Sequence, residues 1–252
     1  MMNKTYKFEI CIDSVQSAIN AQKAGADRVE LCDNLFEGGT TSSAGMIKRV
    51  KEMAPGVQLF VIIRPRGGDF LYTNDEIDVM LADIAIARSL GVDGIVSGAL
   101  LPDGSIDVET TQKLISACEH LPFTFHRAFD MCNDPEVALE QLIKLGCKRV
   151  LTSGLKQTAD IGIENIAKLV KQANNRITIL VGSGIKPNNI AHIAQSTLAH
   201  EFHFSARKES SSKMTFKNQD INMGGIDGLL EFSLFHSDFD LIKNTIKAII
   251  NN

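Results

Sequence analysis

Ala24-Gly25-Ala26-Asp27-Arg28-Val29 returns in kind as Leu90-Gly91-Val92-Asp93-Gly94-Ile95, and again as Leu145-Gly146-Cys147-Lys148-Arg149-Val150. In each copy a helical pattern runs up to a glycine, and a strand resumes about three residues later. Glycine suits that position because helices commonly end on a left-handed residue, a conformation that a side chain resists. One αβ turn used repeatedly implies one repeated unit of helix, turn and strand.

Outward from these turns, strands are predicted over 7–12, 28–32, 59–64, 94–99, 123–127, 149–153, 177–181 and 201–206. Helices are predicted over 14–24, 43–54, 73–90, 108–119, 161–173, 187–197 and 241–250, with another opening at Pro135. Asp13 is the expected N-cap of the first, Thr73 and Glu76 form a capping box, and Pro135 suits a first helical position. Strict alternation needs crossover connections, hence a parallel sheet. Eight units in roughly 250 residues is the size of a (β/α)8 TIM barrel. The expectation is therefore one α/β domain over 1–252, a parallel eight-stranded barrel, with 208–237 as a long loop between the last strand and the last helix. A doubly wound sheet is the alternative, but no GxGxxG follows the first strand.

A net charge of -4 over 252 residues argues against nucleic acid or an anionic membrane surface as the partner. No apolar run approaches a membrane span, and the opening Met-Met-Asn-Lys-Thr-Tyr-Lys lacks the apolar stretch of a signal peptide. Cys11, Cys32, Cys118, Cys132 and Cys147 are scattered, odd in number and free of any CxxC. That pattern fits a reduced, cytoplasmic chain. A homodimer is the expected assembly for a soluble protein of this kind.

Sites in such barrels gather at the C-terminal ends of the strands. In Phe123-Thr124-Phe125-His126-Arg127-Ala128-Phe129-Asp130, the strand period puts Phe123 and Phe125 on one face and Thr124 and His126 on the other. Burying the aromatics turns His126 to the opposite side, with Arg127 and Asp130 following in the loop. A core histidine beside a loop salt bridge is the plainer alternative. The first two strands both read Glu-x-Cys, so Glu9 shares a face with Cys11, and Glu30 with Cys32. Neighbouring strands lie about 4.8 Å apart, so the two thiols can meet. Paired thiolates suit a soft ion such as Cu(I); two small buried hydrophobes are the alternative.

Glu9, Glu30, His126 and Asp130 are candidates for acid–base work, since burial and neighbouring charges shift such groups. Arg64 and Arg66 share a face and can fork onto a carboxylate or phosphate, or else pair with Glu9 or Glu30 in a structural network. Arg127, Ser153, His203 and Ser205 also stand at strand ends, and Gly182-Ser183-Gly184 can offer backbone N–H groups to a phosphate. Two classes of function stay open on these residues. One is metal binding; the other is an enzyme acting by acid–base chemistry on a small phosphorylated or carboxylated substrate.

Several long motifs in order carry a resemblance. They are Phe-Glu-Ile-Cys-Ile-Asp-Ser (8–14), Gly-Ala-Asp-Arg-Val-Glu-Leu-Cys (25–32), Glu-Gly-Gly-Thr-Thr-Ser (37–42), Ile-Arg-Pro-Arg-Gly-Gly-Asp-Phe (63–70), Thr-Phe-His-Arg-Ala-Phe-Asp-Met (124–131), Arg-Val-Leu-Thr-Ser-Gly (149–154) and Glu-Phe-His-Phe-Ser-Ala-Arg (201–207). Together they resemble the CutC family of copper homeostasis proteins; the match is less clear around 226–240. The resemblance implies a cytoplasmic, self-associating (β/α)8 barrel that handles copper. It further implies that the two Cu(I)-binding cysteines fall on Cys11 and Cys32.

Overall fold

The repeated turn is built three times with the same bonds. Gly25, Gly91 and Gly146 all have positive φ, at 90°, 74° and 82°. The next N–H closes the helix end: Ala26 to the Ala21 carbonyl, Val92 to Ala87 and Cys147 to Leu142. The one after reaches the preceding strand, with Asp27 donating to Phe8, Asp93 to Leu59 and Lys148 to Phe123 at 3.0, 2.7 and 2.9 Å. Each helix end is thereby fastened to the strand beside which the next strand will run.

These units appear in a computed structural model that describes residues 6–218, 220–221 and 231–250. The strands are β1 (Lys7–Ile12), β2 (Arg28–Leu31), β3 (Gln58–Ile62), β4 (Gly94–Ser97), β5 (Phe123–Phe125), β6 (Arg149–Thr152), β7 (Thr178–Val181) and β8 (Glu201–Phe204). They form a closed parallel barrel in sequence order, with β1 paired to β8 at the seam. The intervening helices are α1 (Val15–Ala24), α2 (Ala44–Met53), α3 (Asn74–Ser89), α4 (Val108–Cys118), α5 (Pro135–Lys144), α6 (Ile163–Ala173) and α7 (Ile190–Thr197). The Thr73–Glu76 capping box forms, and Pro135 opens α5. The N-cap of α1 is Ser14, not Asp13: the Ser14 hydroxyl accepts from the Ser17 N–H.

The segment read as one long loop differs from that expectation at both ends. Arg207–Ser211 forms β9 and Ser233–Ser237 forms β10, paired antiparallel, before α8 (Phe239–Ile250). Part of the loop, 219 and 222–230, lies outside the described residues.

Strand alternation divides the interior into two layers. Phe8, Ile10 and Ile12 of β1, Val29 and Leu31 of β2, and Phe123 and Phe125 of β5 join the main core with residues of the surrounding helices. The intervening positions form a second, smaller cluster of Cys11, Cys32, Phe60, Ile62 and Val96. Gly94 belongs to the latter layer because a Cβ there would stand 2.3 Å from the Phe60 ring. Fully burying each large side chain contributes about 1.5–3 kcal/mol, so the apolar outer layer carries most of the stabilisation. The inner layer is left free to hold charge.

Candidate functional site

The inner layer below the barrel mouth is charged, and strand register sets its order. Glu9 lies level with Arg28 on one side and His203 on the other, while Cys11 lies level with Glu30. Arg28 is buried, and its Nε donates to Glu9. Its Nη2 donates to Glu201 Oε2 at 2.9 Å, and Arg149 Nε reaches the same oxygen at 2.9 Å. The Arg28 and Arg149 guanidinium groups lie 5.0 and 5.4 Å from the Phe60 ring centre. A buried charge is tolerated only when paired, and this network pairs each one.

His203 connects the network to the thiols. Its Nδ1 lies 2.7 Å from Glu9 Oε1 and its Nε2 3.6 Å from Glu30 Oε2. Cys11 Sγ and Cys32 Sγ are 3.8 Å apart, and Cys32 Sγ is 3.6 Å from Glu30 Oε2. Donor atoms of Cys11, Glu30 and Cys32 all lie within 4.8 Å of one another, and all three residues are buried. Nearby polar groups pull these residues in different directions. The hydrogen bond with Cys32 holds the Cys11 thiol down at about 5 against burial, helped by His203. Cys32 is pushed well up by that same bond and by burial. Burial opposes charge on His203, yet Cys11, Glu30 and Glu9 together raise its pKa well above the usual value. Burial drives Glu30 up to about 8 despite His203. Together these influences favour charge on Cys11 and His203 and the protonated forms of Glu30 and Cys32.

Above this cluster opens a cavity of about 830 Å³. Its walls include Cys11 and His203, together with Arg127, Ser183, Gly184, Lys186, Ser205 and Arg207. That volume falls in the range of small-molecule sites, roughly 300–1,000 Å³.

Several expected site residues stand elsewhere. Arg64 and Arg66 spend most of their donors on the protein itself and do not line the cavity, although the buried Arg64 Nε has no partner. Arg64 donates to the carbonyls of Glu37, Gly39 and Gly68 at 2.9, 2.8 and 2.7 Å. Arg66 binds Glu76, the Asp69 carboxylate, and the carbonyls of Gly67 and Leu71. The partner of Glu9 is Arg28, which no motif in the sequence marked out.

His126 is buried, and its Nδ1 accepts from the Ala128 N–H at 3.3 Å. Burial and the Arg64 charge press its pKa down to about 3, so the ring is neutral. Asp130 accepts from Arg127 Nε, the Ser153 and Leu155 N–H groups, and the hydroxyls of Thr152 and Ser153. It organises the loop after β6, with Arg127 Nη2 also donating to Ser153 Oγ at 2.9 Å. His126, Asp130 and Ser153 do not line the cavity; Arg127 does. Gly182 packs below it, where a Cβ would meet Leu151 at 2.7 Å. Lys186 lines the cavity and was not singled out in the sequence, since a lysine before a proline reads as surface.

The CutC family matches over residues 6–208. A family protein CutC of Bacteroides thetaiotaomicron is 50% identical over 246 residues, covering 98% of this chain and 99% of its own. The human copper homeostasis protein cutC homolog is 48% identical over 247 residues, covering 98% of this chain and 90% of its own. The solved CutC structure from Streptococcus agalactiae has a TM-score of 0.77 at 38% identity, covering 80% of this chain and 99% of that one. Phosphoribosylanthranilate isomerase from Thermotoga maritima has a TM-score of 0.57 at 15% identity over 98% of this chain and 100% of its own, a likeness of fold alone. With relatives this similar along nearly its whole length, the chain belongs to the CutC family.

Proposed function

We propose that the chain serves copper homeostasis by holding Cu(I) as cargo between Cys11 and Cys32. The observation that carries this reading is the buried thiol pair, 3.8 Å apart, with Glu30 beside it and an environment that lowers the pKa of Cys11. Thiolate sulfur favours soft Cu(I) over hard ions, and only the deprotonated form is a ligand. Glu30 stands close enough to complete the donor set. His203 supplies positive charge that balances the thiolate, and Glu9 and Arg28 hold His203 in place through a continuous chain of bonds. Cys32 is shielded from solvent, while Cys11 at the cavity wall gives the ion a route in.

Relatives named for copper homeostasis support the same reading. Free thiols throughout the chain agree with work in the reducing cytoplasm. The exposed side chains of Met214, Phe216 and Ile221 offer apolar area for a homodimer, which sedimentation would reveal.

Anaerobic competition against a chromogenic Cu(I) chelator tests the proposal. The wild type is expected to take up one Cu(I) per chain, and Cys11→Ser/Cys32→Ser to take up none. Equal uptake by the double variant rejects the thiol site.

A further inference from the structure

A metal ion fills a small fraction of the mouth cavity, and what lines the remainder is not suited to a cation. Arg127, Lys186 and Arg207 all face it, and no aspartate or glutamate does, in a chain whose net charge is -4. We infer that this cavity is a binding site for a small organic phosphate, seated on the loop after β7, with Cys11 of the thiol pair also in its wall.

The donors on that loop carry the inference. Among the described residues, the backbone N–H groups of Ser183, Gly184 and Ile185 have no acceptor. Ser183 is half-buried, Gly184 exposed and Ile185 buried, and three such N–H groups in succession at a cavity wall form a concavity that suits an anion. Ser183 and Gly184 both have positive φ, at 73° and 75°. For a serine that conformation costs on the order of 1 kcal/mol, and it is kept at the cavity wall.

Side chains add to the set. Lys186 makes no ion pair within 4.0 Å among the described residues, and its charge acts on Asp160 from beyond that distance. The Ser205 hydroxyl likewise has no partner there. Arg207 spends Nη2 on Asp13 at 3.3 Å, but its buried Nε has no partner. This exceeds what the two oxygens of a carboxylate accept and suits the three terminal oxygens of a phosphate monoester. Leu35, Ile185, Phe204 and Leu241 supply apolar wall for the organic body.

Calorimetric titration with inorganic phosphate, phenyl phosphate and benzoate tests the inference. Phenyl phosphate is expected to bind more tightly than inorganic phosphate, and benzoate at least about tenfold more weakly than phenyl phosphate, the scale of one charge-assisted hydrogen bond. Lys186→Glu, an exposed change checked by its melting temperature, is expected to weaken phenyl phosphate by about tenfold or more. Ser205→Ala is expected to weaken it by a smaller factor. Cys32→Ser, outside the cavity lining, should bind phenyl phosphate as the wild type does, and Lys186→Glu should still take up Cu(I). Absence of phosphate binding by the wild type, equal binding by Lys186→Glu, or benzoate binding as tightly as phenyl phosphate overturns the site. Each of those results leaves the thiol reading to its own assay.

Discussion

Replacing Arg28 with methionine probes the network beneath the thiols most directly. Arg28 is 1% exposed, binds Glu9 and Glu201, and lies over the Phe60 ring. Methionine keeps much of the apolar stem and removes the charge. Breaking a buried ion pair from one side costs about 3–5 kcal/mol, because the other charge stays buried. Here each carboxylate retains a second partner: His203 for Glu9 and Arg149 for Glu201. The expected loss is therefore near the low end, about 3 kcal/mol, or about 6–12 °C in melting temperature for a chain of this size.

The pH dependence of that loss has a definite sign. Burial pushes Glu9 up, but Arg28 and then His203 pull it further down, to about 2. Stability from this carboxylate is present above its ordinary 4.5 and is lost as pH falls toward 2. The deficit of Arg28→Met should thus be full at neutral pH and narrow below 4.5. Urea unfolding at a series of pH values measures it, and adding Glu9→Gln should recover part of it. A deficit under about 1 kcal/mol at neutral pH, the scale of an exposed pair, would refute the reasoning. So would one that ignores acidification.

Further outcomes follow from the same cluster. Ultraviolet titration of the metal-free protein should show one thiol ionising near 5, and His203→Gln should raise that midpoint. Loss of one charge-assisted hydrogen bond, about 1.5–3 kcal/mol, corresponds to about 1–2 pH units, so an unmoved midpoint would exclude His203 as the counter-charge. Glu30, lifted to about 8 by burial, gives stability that is complete below 4.5 and lost as pH rises through 8. Glu30→Gln should flatten the urea midpoint across that window, and an unchanged slope would show that the carboxyl ionises freely.

The architecture was legible because its signals are local. The three helix-ending glycines and the apolar strands specify the units, and each turn bonds within one helix and its adjacent strand. The thiol pair was legible because Glu-x-Cys puts each thiol on the inner face of neighbouring strands, and the two-residue stagger that sets Cys11 level with Glu30 still leaves the sulfurs 3.8 Å apart. Arg28 was not, since its partner Glu201 is far along the chain and its role depends on barrel closure. For Arg64 and Arg66 the sequence left an anion clamp and a structural network open. The backbone carbonyls that take the Arg64 Nη groups become visible only once the loop around Gly39 is folded. Strands β9 and β10 escaped notice because Arg207-Lys208-Glu209-Ser210-Ser211 has no apolar alternation and is held by pairing with its distant partner.

The seam between the first and eighth strands places a limit on when this protein can become competent. Cys11 and Cys32 leave the ribosome early, but the imidazole that balances them is supplied by a strand near the far end, 194 positions after Glu9. At translation speeds of about 5–20 residues per second, the two sulfurs spend roughly ten seconds or more as ordinary thiols on an unfinished chain. The imidazole joins them only once β8 is made, so a product stalled before that strand would carry both cysteines without the positive charge that balances them.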